Sequence, residues 1–278
     1  MLNALTVDVE DYFHPNAMDG VVAPEQWDAL PHRVDANTRR LLELLDECDV
    51  RATFFVLGWV AERWPQLVSE IARRGHEVAC HGFNHRLVYQ LGPDHFRADV
   101  ARARAVLQDV VGQPIAGFRA ASYSIVASTL WALDVLIELG FTYDSSIFPI
   151  RHDLYGIPGF SRVPVRVQRP LGEILEIPPS TIRLLGRNWP VAGGGYFRLL
   201  PYWITRRALQ RLNQREQRAG MVYVHPWELD VEQPRLAGPA RARLRQYANL
   251  HRTEGRLRRL LREFRFAPIR DVFGLCAA

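Results

Sequence analysis

The stretch RATFFVLGWVAERWPQLVSEIARRGHEVACHGFNH, residues 51–85, decides the fold. It opens with RATFFVLG, a short apolar run that predicts a buried strand. PQLVSEIARRG then predicts a helix, with Gly75 at its C-terminal stop. HEVACH reads as a second strand. Strand, helix and strand in succession form the repeating unit of a parallel α/β sheet.

The same alternation extends on both sides. NALTVDV (3–9) alternates and is β-branched, so it predicts a strand. DANTRRLLELLDECDV (35–50) predicts a helix, with Leu41, Leu42, Leu44 and Leu45 on the helical pattern and Asp35 or Asn37 as its cap. DHFRADVARARAVLQDVVG (94–112) and STLWALDVLIELG (128–140) predict helices, and IAGFRAAS (115–122) and FTYDSSI (141–147) predict strands. Residues 148–198 are rich in Pro and Gly and predict long loops with short strands at 162–167 and 174–182. Helical signal returns at PYWITRRALQRLNQREQRAG (201–220), followed by a strand at MVYVH (221–225). TEGRLRRLLREF (253–264) predicts a helix with Leu257, Leu260, Leu261 and Phe264 on one face. There is no internal repeat. The expectation is one α/β domain over residues 1–278, with a core at 3–230 and a helical extension at 231–278.

Composition narrows the chemistry. The 278 residues are 48% hydrophobic and 23% charged, and a chain of this length buries a large core without disulfides. Cys48, Cys80 and Cys276 are odd in number and far apart, so neither a disulfide framework nor a zinc ribbon is expected. The start MLNALTVDVEDYF has no basic, apolar leader pattern, and no apolar run reaches the length of a membrane span. A cytoplasmic protein is expected. All 35 basic residues are arginine. The absence of lysine excludes Schiff-base chemistry, pyridoxal phosphate attachment and the P-loop lysine. The net charge of +5 is read first as a compositional bias toward arginine, and second as a surface for an anionic polymer or membrane.

In parallel α/β folds the C-terminal ends of strands carry the site. Here they carry Asp8, Glu10 and Asp11 after the first strand, and His81 and His85 after the third. Arg119 follows the fourth, and His225 ends MVYVH. Histidines at i and i+4 lie on the same side of a helical turn, so both rings can reach one ion. An added carboxylate gives two histidines and one acid, the pattern of a catalytic site with open positions. Each residue also has a plainer reading. Asp8 could cap a turn, Arg119 could form a surface ion pair, and His225 could be a core histidine. Trp189, Tyr196, Phe197 and Trp227 are equally sugar-stacking rings or core. AGGGYF (192–197) lacks the context of a phosphate loop and is read as a flexible wall of a cleft.

Taken in order, TVDVED (6–11), HGFNH (81–85), RAASY (119–123), YDSS (143–146) and VYVHPWE (222–228) make the chain resemble a polysaccharide deacetylase of the NodB-homology class, carbohydrate esterase family 4. VDVEDYF, GGGYFRLLPY, HPWE and TEGRLRRLL resemble a subgroup from exopolysaccharide-assembly loci. The resemblance implies a distorted (β/α)7 barrel and metal-dependent removal of N-acetyl groups from amino sugars. It implies Asp8 as base, and Arg119 as its charge partner, which would lower its pKa. It implies His225 as the acid, and a backbone N–H near Tyr123 for the oxyanion. A divalent metal, Zn2+ in the simplest case, would be held by His81, His85 and either Glu10 or Asp11. The partner expected is an N-acetylated glycan or lipid-linked sugar, not a nucleic acid, with peripheral membrane association left open. Relatives act on peptidoglycan, on lipid-linked sugars or on cyclic ureides. A ureide-type cyclic-amide hydrolase and a catalytically silent carbohydrate-binding scaffold are therefore the alternatives. The departures are Val9 between the acids, Ala121 where proline is frequent, and Val126 in place of a later proline.

Overall fold

The computed structural model describes residues 1–18, 20–191 and 193–275. Cys276, and Ala192 of the glycine run, lie outside the described residues. Cys48 and Cys80 are free thiols.

From the N-terminus, β1 (Leu2–Val9), α1 (Val34–Glu47), β2 (Thr53–Val56), α2 (Gly58–Arg63), α3 (Pro65–Arg73), β3 (Glu77–Cys80), α4 (Val88–Leu91), α5 (Pro93–Val111), β4 (Gly117–Phe118), α6 (Trp131–Glu138) and β5 (Tyr143–Asp144) alternate. Four strands follow: β6 (Val165–Arg169), β7 (Gly172–Glu176), β8 (Thr181–Leu184) and β9 (Arg187–Pro190). The chain ends with α7 (Gly194–Leu199), α8 (Tyr202–Gln210), β10 (Met221–Val224), α9 (Ala240–Tyr247), α10 (Leu250–Glu263), β11 (Arg265–Ala267) and α11 (Ile269–Val272). The α/β class follows the sequence reading.

The chain divides into two compact units. The first comprises Met1–Phe54, Gly75–Glu77 and Val191–Leu275, and the second is built from Phe55–Arg74 and Val78–Pro190. In the first, β10 pairs parallel with β1 from Ala4↔Met221 to Val7↔Val224, and β11 pairs parallel with its first residues. β1 is buried on both faces from Asn3 onward, as a central parallel strand requires. In the second, β3, β4, β5 and β7 succeed one another in parallel, with β6 antiparallel on β7. β8 and β9 form a separate hairpin.

Two local expectations are corrected. The start of α1 is capped neither by Asp35 nor by Asn37. Asp35 instead pairs with Arg39, and Asn37 donates to Asp230. The cap comes from Asp11, whose Oδ2 accepts the N–H groups of Arg33 at 2.7 Å and Val34 at 3.0 Å. The glycine run is not a loop wall but the first turn of α7, with Phe197 and Arg198 buried. The backbone of Gly193 bridges Tyr223 of β10, and a Cβ there would lie 2.1 Å from the tyrosine ring.

Gly193→Ala should therefore lower unfolding stability by about 2 kcal/mol or more, because overpacking adds to a backbone conformation that L side chains rarely adopt. The urea midpoint measures it, and an unchanged midpoint would refute the close packing described.

Candidate active site

In the first unit, the site grows out of the β1–β10 register. Val7 lies opposite Val224, so the next residues, Asp8 and His225, leave the two strands side by side. Asp8 lies near the end of β1 and Glu10 just past it. His225 Nε2 lies 3.8 Å from Asp8 Oδ2. Asp8, Glu10 and His225 each offer a donor atom within 4.8 Å of the others. Asp11 differs. It is fully buried, with Oδ2 on the start of α1 and Oδ1 accepting the N–H of Tyr12 at 2.8 Å. Both of its oxygens serve the backbone.

The turn Pro226–Leu229 brings Glu228 back under His225. Glu228 Oε2 accepts the backbone N–H of His225 at 2.9 Å and lies 3.1 Å from Nδ1. A carboxylate only accepts, so Nδ1 carries the hydrogen and Nε2 faces Asp8. Burial alone would lower the pKa of His225, but Glu10, Glu228 and Asp8 outweigh it and raise it to about 9. Burial pushes the Glu228 carboxyl up, yet His225 and Arg198 together bring it down to about 2. Trp227 stacks on the His225 ring, with centroids 5.3 Å apart, and is core rather than an open sugar platform. Phe197 is likewise buried, whereas Trp189 is 50% exposed.

In the second unit, His81 and His85 bracket a bend, not a helical turn. Gly82 (φ +75°) and His85 (φ +51°) both take left-handed backbone, and this brings the ring centroids to 5.4 Å. Asp99 of α5 pins the bend by accepting the Phe83 N–H at 2.7 Å. His81 Nδ1 is 2.8 Å from the carbonyl oxygen of Arg119, so it donates there and leaves Nε2 as a lone-pair donor. A hydrogen bond from the other ring nitrogen to a carbonyl is the usual device for orienting a metal-binding imidazole. Two buried imidazoles, one of them fixed in the required tautomer, suit a divalent cation.

Arg119 is fully buried. Its Nε donates to the Ser145 carbonyl at 3.2 Å, one terminal nitrogen donates to Ser145 Oγ at 3.0 Å, and the guanidinium lies 4.1 Å above the Phe55 ring. Ser122 and Tyr123 follow with φ +48° and +56°. The Tyr123 N–H itself donates to Ala120 O at 3.1 Å. Asp144 of the YDSS motif lies opposite Glu176 across β5 and β7, both fully buried. Burial raises both carboxyls, Glu176 well above the ordinary range with the charge of Asp144 adding to it. Asp144 Oδ2 and Glu176 Oε2 have no other donor among the described residues, so one shared proton satisfies both.

Sequence reading missed Glu228 and Arg198, although both lie in quoted motifs. An acid three residues after a strand-end histidine, with proline between, was the available signal for Glu228.

Comparison with known proteins bears on the family and the fold. Residues 25–143 match the polysaccharide deacetylase family, and residues 145–274 match a domain of unknown function, DUF3473. A peptidoglycan-N-acetylglucosamine deacetylase of Bacillus cereus is 32% identical over 75 residues, 27% of this chain and 27% of that protein. The chain thus spans about a quarter of the length of that relative. A Mycobacterium smegmatis protein assigned to the polysaccharide deacetylases shares the fold (TM-score 0.61, 23% identity, 96% of this chain and 92% of that one). So does the Puue allantoinase (TM-score 0.61, 17% identity, 98% and 88%). The fold also includes a pseudoenzyme of carbohydrate esterase family 4 from Bacillus anthracis (TM-score 0.51, 14% identity, 98% and 64%). Over residues 25–143 the chain thus carries a polysaccharide deacetylase domain.

The two acids can be separated by experiment. Asp11→Ala leaves buried N–H groups without an acceptor and should cost about 2–3 kcal/mol of stability with metal content unchanged. Glu10→Ala should lower metal content, measured by elemental analysis, with little loss of stability. The reverse pattern would make Asp11 the ligand.

Proposed function

We propose that the protein is a metal-dependent de-N-acetylase acting on amino sugars of a bacterial polysaccharide or its lipid-linked precursor, in exopolysaccharide assembly. The observation that carries the reading is the pair Asp8 and His225, set side by side by the β1–β10 register, with Glu228 behind the imidazole. A base and an acid held together by strand register are what amide hydrolysis needs, because water must lose a proton and the leaving nitrogen must gain one.

In this reading His81, His85 and Glu10 hold the cation. Glu10 is preferred to Asp11 because both oxygens of Asp11 are committed to backbone N–H groups. A bound divalent ion, Zn2+ in the simplest case, would supply Lewis acidity to the acetamide carbonyl and bring the pKa of a water toward about 7. Asp8 takes a proton from the attacking water. Arg119 is assigned as the charge partner of that base. The strained turn at Tyr123 is assigned to the oxyanion. His225, its Nδ1–H held by Glu228, delivers a proton from Nε2 to the leaving nitrogen. One amide and one water give acetate and a free amine.

The test is acetate release from a panel of N-acetylated glycans, with and without chelator. Chelation should abolish release, and zinc should restore it. Ring opening of a cyclic ureide without acetate release would replace the reading with the ureide-type hydrolase. No turnover of either substrate class would favour the silent scaffold.

Two sets of variants separate the roles. His81→Ala and His85→Ala should each empty the metal site, whereas His225→Ala should keep the ion. Asp8→Asn retains shape and metal but cannot accept a proton, so kcat should fall roughly 10²- to 10⁴-fold. Loss of metal from Asp8→Asn would make Asp8 a ligand and overturn its assignment as the base.

A further inference from the structure

Arg198 is 2% exposed and Glu228 is fully buried, and their side chains meet at 2.6 Å between Nε and Oε1. A buried ion pair is weak evidence for stability, since desolvation offsets its attraction. Its geometry is more informative. The other nitrogens of Arg198 donate to the carbonyls of Arg245 (2.7 Å), Gln246 (3.2 Å) and Ala248 (3.0 Å), at the C-terminal end of α9. The same segment returns the contact, because Asn249 Nδ2 and an Arg256 nitrogen both donate to the carbonyl of Arg198. Gln246, itself buried, reaches the carbonyl of Tyr12, two residues after Glu10. The guanidinium of Arg198 lies 5.1 Å from the Trp227 ring centroid, and Trp227 stacks on His225.

One chain of contacts therefore runs from the backbone of residues 245–248, through Arg198 and Glu228, to His225. All of these residues belong to the first unit. Every link is directional. The carbonyls orient the guanidinium fork, the fork leaves one edge for Oε1, and Oε2 is thereby aimed at Nδ1 of the imidazole. Bidentate and multidentate arginine contacts fix position as well as charge, which a lysine ammonium does not.

We propose that Arg198 is a positioning residue for His225, acting through Glu228, and that the C-terminal segment Ala240–Arg256 is the anchor that holds it. This gives the second half of the DUF3473 match a role in the site. It rests on the reading of His225 as the proton donor to the leaving group, so the test needs one readout that does not depend on turnover.

That readout is the hydrogen-bonded Nδ1 proton of His225, observed by NMR on histidine-labelled protein at a fixed pH and assigned by its absence in His225→Ala. Glu228→Gln is nearly isosteric and should fold. It should lose or strongly shift this resonance. On an acetylated chito-oligosaccharide it should reduce kcat by roughly 10- to 100-fold, a part of the usual general-acid contribution, with KM and metal content near wild type. Arg198→Met should show the same resonance change and kcat loss, and Arg198→Lys should recover less than half of the lost kcat. If Glu228→Gln or a folded Arg198→Met keeps both the resonance and kcat, the proposal is wrong. If Arg198→Lys matches wild type, the positioning role of the fork is wrong. If the wild type turns over no glycan, the deacetylase reading fails while the resonance still decides whether Arg198 and Glu228 hold the ring. Arg198→Met that unfolds leaves the decision to Glu228→Gln and Arg198→Lys.

Discussion

Three carboxylates, Asp8, Glu10 and Asp11, leave β1 within four residues, and all three are buried. A buried carboxylate without a partner costs several kcal/mol, so each needs a matching donor or cation. That constraint shapes the first unit. Asp11 is matched by the N–H groups that open α1, which fixes where the helix begins. Asp8 is matched by His225, which fixes the register of β10 on β1. A slip of one residue would turn His225 to the other face of the sheet and leave Asp8 buried without its neighbour. Glu10 lies beside the same imidazole, with an oxygen within 4.8 Å of donor atoms of Asp8 and His225.

The second unit handles buried acid in the opposite way. Asp144 and Glu176 sit opposite each other with Ser146 Oγ at 2.5 Å from Asp144 and the Ile147 N–H at 3.0 Å from Glu176. The facing oxygens are left to each other, and one proton resolves the conflict that two charges would create. The pair holds the strand end that supplies Ser145 to Arg119 and Ser146 to the Ala120 N–H. The first unit thus matches Asp11 with backbone donors, while this pair is matched by a shared proton.

The fold class was legible because strand and helix periods alternate so regularly between residues 3 and 145. The strand-end histidines and acids could be picked out as candidates because parallel sheets carry their sites at strand ends. The bend between His81 and His85 was not, because spacing alone does not distinguish a helical turn from two left-handed residues. The cap of α1 was not, because Asp11 is 23 residues from Val34 and only the tertiary fold brings them together. β4 and β5 are two residues each, although longer strands were expected, and past their ends the Arg119 and Ser145 N–H groups still bond the neighbouring strands at Cys80 O and Phe118 O. The role of Arg198 was hidden for a different reason. Its partners are backbone carbonyls of residues 245–248, which leave no mark on residue type.

Backbone strain recurs at the candidate site, although Asp49, Leu185, Gln217 and Asn249 also take positive φ. His85, Ser122 and Tyr123 all adopt positive φ, at a cost of roughly 1–3 kcal/mol each for a non-glycine residue. A glycine at any of these positions would relieve it, yet each carries a side chain. The bonds around them supply the restraint. Asp99 holds the bend before His85, Ser146 Oγ holds the Ala120 N–H ahead of the Ser122–Tyr123 turn, and Ser124 Oγ accepts the Val88 N–H behind it. Strain that is so fully braced, at a candidate ligand and at the residues after a buried arginine, argues that the positions of the side chains are what the local structure serves.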